Sequence, residues 1–421
     1  MSGLTVNYNG NAIKIADADE QFTLKTNGKV MADDVEIVAD SDVTSITASY
    51  NSATIVNGTG GNTYTLKTNG KIMASDIECA CEMTPALNYI EFASENSFTL
   101  GVGNSTKNWG GTLEYCTDGT TWVEWDASTI TASQVDGAYI IRLRGTGNSV
   151  ISGASGKKFV LTGTNVTCSG NIENLLDYAT VAQKDHPTMA NNCFQSLFDG
   201  CTALISAPEL ASTSLKNYCY SYMFSGCTNL AQAPDLPATT LKERCYAGMF
   251  YGCSSLTKAP ELPAASISSF SYNAMFQNCT ALVTPPSAVG GTFAGDSGCA
   301  SMFKGCTALT TVPKLPATTQ NANCYSEMFS GCTNLEALPE LPTASVKSTA
   351  YTYMFSGCTK IKLSTTADAE YVNEFRIPSS GTGSIVSGAT ASMFANTGGT
   401  FTGAPAANTT YYTSNTIVSA A

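Results

Sequence analysis

The chain has 421 residues, which is more than one ordinary domain needs, and its 43% hydrophobic content is ample for packed cores. Charged residues are only 13% and the net charge is −12, which disfavours nucleic-acid binding, because phosphate contacts need clustered Lys and Arg. No apolar run reaches transmembrane length, and no basic or amphipathic stripe indicates a membrane surface.

Two copies of a 16-residue motif lie near the N-terminus and agree at 11 of 16 positions. The copies are FTLKTNGKVMADDVEI at 22–37 and YTLKTNGKIMASDIEC at 64–79. Each contains an Asn-Gly pair between two β-prone stretches, which is the strongest short-range signal for a β-hairpin. The pairs are Asn27–Gly28 and Asn69–Gly70. We therefore predict two small β adaptor units, at residues 1–40 and 41–83.

Residues 84–170 are predicted to form a β-sandwich. In LEYCTDGTTWVEW, Asp118 and Gly119 stand between two stretches rich in β-branched and aromatic residues. The stretch YIIRLR, from Tyr139 to Arg144, alternates at its end as a half-buried strand does.

The second half of the chain repeats a signature of the form MFxGCTxL with a period of 26 residues and a single spacing of 27. The copies start at residues 197, 223, 249, 275, 302, 328 and 354. A fixed period of this size predicts a solenoid, in which each unit buries its apolar face only against its neighbours. We assign about seven repeats to residues 171–363. Residues 364–421, with the degenerate signature Met393–Phe394, are predicted to be a C-terminal cap.

Within one repeat, the sequence predicts a strand, a turn and a helix. The proline-bounded stretch LTKAPELP, at 256–263, suits a short strand. In LKERCYAGMF, residues Leu241, Cys245 and Met249 are four apart, which predicts one face of a helix. A glycine follows this stretch where a left-handed residue ends a helix. Examples are Gly226, Gly252 and Gly305.

The repeated pattern MFxGCTxL…APxLPATxLxxxCYxxMF is similar to the BspA-type leucine-rich repeats of surface proteins from gut and oral bacteria. The resemblance covers about residues 188–363. It implies a curved, horseshoe-like solenoid that binds other molecules and has no catalytic activity of its own. The expected fold is therefore multidomain: an all-β N-terminal region, followed by an α/β leucine-rich-repeat solenoid with a parallel strand ladder.

The N-terminal motif carries a second resemblance. Both copies resemble a short TLkTxGKxxxxDIxV element of structural proteins from phages that infect gut bacteria, where it occurs near the start of tail, baseplate or fibre proteins. The YxTDGxxW pattern in the predicted sandwich resembles modules that precede BspA-type repeats. These resemblances imply an anchoring role for residues 1–83.

Cysteine is abundant, with 16 residues, and most of them fall into two columns of the repeats. The first column is Cys193, Cys219, Cys245, Cys299 (displaced by one place) and Cys324; the second is Cys201, Cys227, Cys253, Cys279, Cys306, Cys332 and Cys358. Ser271 and Ala350 replace first-column cysteines while Cys279 and Cys358 remain, so obligatory pairing within a repeat is excluded. We expect buried, unpaired thiols in a protein folded in a reducing compartment.

No catalytic or metal-binding constellation is evident. The single histidine, His186, is expected to be a surface or capping residue, which argues against a His-dependent triad. The CAC sequence at 79–81 and the repeat cysteines lack paired CxxC spacing. The glycine-rich stretch RGTGNSVISGASGKKF fails the phosphate-loop pattern, because the position five before Gly156 is Ile151. We expect no enzyme activity, no metal site and no cofactor.

Two registers of the predicted strands are candidates for ligand contact, because their side chains change from repeat to repeat. One register, between proline and leucine, is mostly acidic and holds Glu209, Asp235, Glu261, Ser287, Lys314 and Glu340. The other holds Gln232, Lys258, Thr284, Thr311 and Ala337. The acidic register is either an ordinary solvated stripe or a stripe that binds a ligand or cation. Hydrolysis of glycosides by two of these carboxylates is disfavoured, because the near-identical repeats single out no pair.

We expect a virion fibre or host-recognition protein of a gut-bacterium phage. It is anchored to other virion proteins through residues 1–83 and binds a host surface glycan or protein through residues 188–363. The start, MSGLTVNYNGNAIKI, has no export signal, which favours a virion component made in the host cytoplasm. A bacterial cell-surface adhesin and a virion decoration protein without a receptor role are the alternatives. A homo-oligomer such as a trimer is compatible with this role, whereas nucleic acid and membrane insertion are not expected.

Overall fold

A computed structural model of the chain describes the backbone of the strands between residues 4 and 83, and residues 87–420 apart from 104–106, 108 and 154–156. The chain divides into two compact units, Met1–Ala86 and Leu87–Ala421. It is mostly β-structure and turns, in several small sheets, with one short helix among the described residues. No described helix is long and apolar enough to span a membrane. Boundaries predicted inside each unit stay predictions.

The first unit contains ten strands. They are β1 Leu4–Tyr8, β2 Asn11–Ala16, β3 Phe22–Thr23, β4 Lys29–Met31, β5 Val35–Ala39, β6 Val43–Tyr50, β7 Ala53–Gly58, β8 Thr63–Thr65, β9 Lys71–Met73 and β10 Ile77–Met83. One sheet has the order β2-β1-β5-β8, a second has β3-β10-β6-β7, and β4 pairs with β9. Each four-stranded sheet therefore takes three strands from one sequence copy and one strand from the other.

The predicted hairpins are wrong at the level of strand pairing. The two Asn-Gly pairs lie outside the described residues, but the strands on either side of them pair elsewhere. Strand β3 pairs with β10, and β8 pairs with β5. These strands have only two or three residues, and an isolated two-stranded hairpin is marginal in water, whereas a fourth position in a sheet supplies more hydrogen bonds.

The second unit contains the remaining strands and the helix. They are β11 Ile90–Ser94, β12 Thr99–Val102, β13 Thr112–Cys116, β14 Val123–Glu124, β15 Ile130–Thr131, β16 Ser133–Val135, β17 Ala138–Thr146, β18 Phe159–Thr162, β19 Val166–Ser169, α1 Asn174–Ala182, β20 Leu204–Ser206, β21 Ser266–Ile267, β22 Thr292–Phe293, β23 Ala337–Pro339, β24 Ser345–Val346, β25 Leu363–Ser364, β26 Asn373–Arg376, β27 Ser384–Ile385, β28 Thr410–Thr413 and β29 Thr416–Val418.

Before the repeats, two sheets contribute to one hydrophobic core. The larger sheet has the order β14-β13-β17-β11-β19-β20, with β16 also on β17, and the smaller has β15-β12-β18. As the sequence predicts, β13 and β14 pair across Asp118–Gly119, where Gly119 has φ +85. Phe92 of β11 and Leu100 of β12 are both fully buried in the shared core. Strand β20 belongs to the first repeat and pairs in parallel with β19, so this sheet continues into the repeats.

The predicted helix of each repeat is wrong: the segment from about 243 to 253, and its equivalents, consists of consecutive turns. The N–H of Ala247 donates to the carbonyl of Arg244 and that of Met249 to Tyr246, both 3.2 Å and both three residues back. Every fourth residue has a left-handed backbone, for example φ +53 at Arg244 and +58 at Gly248. An α-helix cannot contain such residues at a four-residue interval. We call these eleven-residue stretches the turn segments.

The turn segments explain why the chain returns to Met-Phe in each repeat. The amide of the signature Phe donates to the carbonyl of the Met in the following signature, 2.9 Å away in all seven cases from Phe198 to Phe355. The Phe rings then stack, with centroids 5.3–5.7 Å apart, from Phe198 to Phe394. The degenerate signature at Met393–Phe394 therefore closes the same column. The signature Phe must recur at the same position of each repeat, because only there do its ring and its amide meet their partners in the next repeat.

The predicted strands of the repeats appear mainly as isolated parallel bridges. Gln232 bridges to Ser206, and Lys258 bridges to Thr284. The described part of the repeats contains few longer pairings, such as β23 with the C-terminal strand β29. Prolines in this segment remove N–H donors, so a continuous run of strand pairs cannot form. The repeats thus fit a repeat fold in which turns carry most of the regular hydrogen bonding.

Candidate binding groove on adjacent repeats

A groove of about 610 Å³ lies on two adjacent repeats, where residues 231–237 run beside 257–263. The side chains of Gln232 and Asp235 come from one repeat, and those of Lys258 and Glu261 come from the next. All four are exposed. Four of the nine contact residues predicted from sequence therefore meet in one place.

The groove owes its shape to a repeated in-and-out pattern. Leu236 and Leu262 are 3% and 7% exposed and point into the core, whereas the acidic residue that precedes each of them faces solvent. Prolines fix the backbone around these residues, because their rings lock φ. The two repeats therefore present the same framework with different side chains, which is what a variable contact surface needs.

The polar groups of the groove are of mixed charge. The carboxylate of Glu261 accepts hydrogen bonds from the hydroxyl and the amide of Ser287, at 2.6 and 3.0 Å, so the next repeat holds it in place. Asp235 and Lys258 supply an anion and a cation, and Gln232 supplies both a donor and an acceptor. The groove can make several directional hydrogen bonds to a polar ligand.

The other predicted contact residues lie outside this groove. Glu209, Thr284, Thr311 and Lys314 are exposed on other repeats. The carboxylate of Glu340 accepts hydrogen bonds from the Ser419 hydroxyl and the Ala420 amide, at 3.1 and 2.9 Å.

The register that holds Gln232 and Lys258 is not exposed in every repeat, as Ala337 shows. This residue is 4% exposed and pairs with Thr416 of β29. Strand β29 thus lies beside Ala337, at the place that the following repeat occupies beside Lys258 through Thr284.

Sequence reasoning missed the apolar walls of the groove, which include Leu236, Pro237, Pro260 and Pro263. Their signal was present, since the proline and leucine positions recur every 26 residues. This recurrence indicates a structural role, and it does not reveal that the same side chains also line the groove.

His186 pairs with the buried carboxylate of Glu173. Its Nδ1 lies 2.7 Å from Oε2 of Glu173, a carboxylate whose side chain is 1% exposed, while the imidazole is 48% exposed. The pair ties the connection before the first repeat to the start of α1. Within the described residues, no group of three or more His, Cys, Asp or Glu side chains could hold a metal ion.

The fourteen cysteines from Cys116 onward are free and buried, as predicted for unpaired thiols. The side chains of Cys79 and Cys81 lie outside the described residues. In the second column, each thiol from Cys227 to Cys358 donates to a Phe carbonyl of the preceding repeat, at 3.0–3.1 Å. Burial raises the pKa of Cys279 to about 12. These thiols are structural donors, because the thiolate that reacts with electrophiles is suppressed.

The comparisons with known proteins concern the repeats. Residues 184–284 and 299–377 match the family model described as BspA type leucine rich repeat region, in six copies. The unmatched residues between them, 285–298, lie within the repeat with the 27-residue spacing. No curated protein and no solved structure matches the chain significantly. The repeats are thus similar to BspA-type repeats, which suggests a surface-binding or adhesin-type protein, and the match does not extend to residues 1–183.

Proposed function

We propose that this protein binds a macromolecular partner through its repeats and catalyses no reaction. The observation that carries the proposal is the groove, in which exposed side chains of variable identity occupy the same register of adjacent repeats. The surrounding core is rigid, because stacked rings and lateral hydrogen bonds hold each repeat to the next. Variation on a fixed frame suits recognition, since contacts can change without loss of the fold.

The overall form proposed for the repeats is a curved solenoid that exposes an extended surface. A single groove offers few contacts, so affinity comes from several repeats and from several copies of the protein acting together. Homo-oligomerisation, for example as a trimer, serves this purpose. The ligand is a glycan or protein of a bacterial surface, in keeping with the similarity to BspA-type repeats.

The proposed setting is a phage particle, in which residues 1–83 contact other virion proteins. This setting is supported by the resemblance of the two N-terminal motifs to phage structural proteins, and by no family match. The similarity of the repeats to BspA-type repeats favours a bacterial cell-surface adhesin as the second candidate. Mass spectrometry of purified particles separates the two, since detection of the chain only in bacterial envelopes would exclude the virion setting.

Binding of the fluorescently labelled full-length chain to a panel of gut bacteria tests the groove. The doubly substituted variant Asp235→Asn with Lys258→Gln should lose most of the cell-bound signal, because each residue supplies a charged hydrogen-bonding group there. The matched control is Asp136→Asn with Lys107→Gln, which removes the same two charges from exposed residues outside the repeats. The groove is ruled out as the contact surface if the double variant binds as well as the wild-type chain to every strain that the wild-type chain binds.

A further inference from the structure

A cluster of aromatic and basic side chains lies on the turn segments of three consecutive repeats, away from the groove-lining residues 231–237 and 257–263. We call it the basic aromatic patch. It consists of Lys216, Tyr218, Tyr222, Lys242, Arg244 and Phe270. Both lysines and Tyr222 are exposed, and the other three side chains are half-buried.

The repeat period places these side chains in columns. Tyr218, Arg244 and Phe270 are successive members of one column, and the Arg244 guanidinium lies 5.8 Å from the Tyr218 ring centroid and 4.1 Å from that of Phe270. The Tyr222 ring rests on Gly248, where an added Cβ would lie only 2.3 Å from a ring carbon. The rings are therefore held in fixed positions at the surface.

The backbone shows that these bulky residues are not needed for folding. Tyr218, Tyr222, Arg244 and Phe270 have φ values of +60, +53, +53 and +54. A left-handed backbone is unfavourable for bulky L-residues and is best tolerated by Gly and Asn. In the column of Tyr218, the corresponding residues of other repeats are small or polar. They include Asn192, Ser297 and Asn323, which adopt the same left-handed φ. In this column, bulky residues with a left-handed backbone are confined to three neighbouring repeats, at Tyr218, Arg244 and Phe270, which indicates selection for a surface.

The charge of the patch is opposite to that of the rest of the molecule. Lys216, Lys242 and Arg244 supply three positive charges in a chain with a net charge of −12, and the adjacent Glu243 supplies one negative charge. The Glu243 carboxylate is 3.9 Å from Arg244 Nε, beyond hydrogen-bond distance, and the Arg244 side chain is 38% exposed. The guanidinium can therefore pair with an anion that approaches from solution.

We propose that the basic aromatic patch binds an acidic polysaccharide. Flat apolar sugar faces pack against Tyr222 and its neighbouring rings, and the carboxylates of the polymer pair with Arg244 and the two lysines. A polysaccharide fits better than an acidic peptide, because a polymer of acidic sugars offers a flat face and an anion in every unit, matching rings and cations that recur with the repeat. This surface is separate from the groove, and each can fail without the other.

Affinity electrophoresis of the full-length chain in native gels that contain polygalacturonate tests the patch, with dextran gels as the neutral reference. Retardation is expected only by polygalacturonate, and it should weaken with added salt. Arg244→Ala and Tyr222→Ala should each weaken apparent affinity roughly tenfold. Asn323→Ala and Tyr353→Ala change residues of the same two columns in other repeats and should leave the apparent affinity unchanged. Asp235→Asn in the groove should also leave it unchanged.

Three results overturn the proposal. The first is the absence of retardation by polygalacturonate. The second is equal retardation by polyglutamate and by polygalacturonate, with the Tyr222→Ala variant retarded as strongly as the wild-type chain. This result would indicate that the patch binds an acidic polypeptide by charge alone. The third is loss of retardation in the Asn323→Ala control. Thermal unfolding of each variant establishes that its fold is intact, and Tyr222→Phe should retain binding because it keeps the ring.

Discussion

The two sides of each repeat are built by different means. In a turn segment, every second amide bonds to the neighbouring repeat, as Tyr246, Gly248 and Phe250 do at 2.8–3.1 Å. In the groove segment, contact between repeats is reduced to isolated bridges such as Lys258 with Thr284. The many hydrogen bonds between repeats constrain which residues can occur in the turn segments. The groove segments make few such bonds, so their residues are free to vary. Cohesion and the proposed recognition surface thus occupy separate parts of the same 26-residue unit.

The buried thiols provide the largest test of the cohesive side. Burial raises the pKa of Cys201 to about 11 and of Cys219 and Cys279 to about 12, from an ordinary value of 9.0. Above pH 9 the unfolded chain releases thiol protons that the folded chain retains, so the free energy of unfolding falls. The loss is about 1.4 kcal/mol per pH unit for each such thiol. Urea unfolding in reducing buffer between pH 8 and pH 11 should show this decline.

The pH experiment has an internal control. Removing one thiol, as in Cys279→Ala, should lower stability at pH 8 and make the decline above pH 9 less steep. A free energy of unfolding that stays constant from pH 8 to pH 11 contradicts the burial of the thiols, because exposed thiols would titrate equally in both states.

The ring column provides the next largest effect. Phe250 is fully buried and stacks between Phe224 and Phe276, with centroids 5.7 and 5.5 Å away. Phe250→Ala should cost about 3–5 kcal/mol, because it leaves a cavity between two repeats. Phe250→Leu should cost less, since it fills part of that volume. Chemical unfolding measures both, and equal costs for the two variants would show that cavity volume is not the cause.

A glycine at the end of a turn segment isolates the backbone contribution. Gly357 has φ +75, and a Cβ there would meet its nearest heavy atom at an ordinary 3.7 Å. Gly357→Ala should therefore cost about 1 kcal/mol from backbone strain alone. Gly357→Asn should cost less, since Asn278 and Asn396 adopt this conformation at the same position of other repeats. In differential scanning calorimetry, an alanine variant as stable as the asparagine variant contradicts this explanation.

The groove should show the smallest effect on stability. Asp235 and Lys258 are exposed, so Asp235→Asn and Lys258→Gln should each change the free energy of unfolding by no more than about 0.5 kcal/mol. Urea unfolding provides the measurement. A loss comparable to that of Phe250→Ala would mean that the groove segment carries cohesion, and the division between the two sides of the repeat would fail.

The sequence predicted the period of the repeats, the hairpin at Asp118–Gly119 and the buried unpaired thiols. It misassigned the turn segments, because Leu241, Cys245 and Met249 recur at four-residue spacing in both a helix and a series of four-residue turns. The left-handed residues that distinguish the two, such as Arg244 and Tyr222, are not residues that favour this backbone. Their conformation follows from lateral bonds that single-chain propensity cannot reveal.

The candidate site was only partly predictable. Register alone identified Gln232, Asp235, Lys258 and Glu261 as exposed positions, because alternation with buried leucines is a local property. It could not show that Ala337 is covered by residues far along the chain. Nor did it indicate the exchange of strands β3 and β8 between the two N-terminal copies, since both pairings satisfy the same local pattern.

The sequence by itself determined the period of the repeats, the identity of the residues that recur and the absence of obligatory cysteine pairing within a repeat, since each follows from which side chains return every 26 residues. Only the tertiary structure decided that the recurring segment is a series of turns, which repeats contribute to the groove and which basic and aromatic side chains share a patch. These features depend on hydrogen bonds and contacts between residues about 26 positions apart. No local preference encodes such contacts, because they exist only after one repeat has packed on the next.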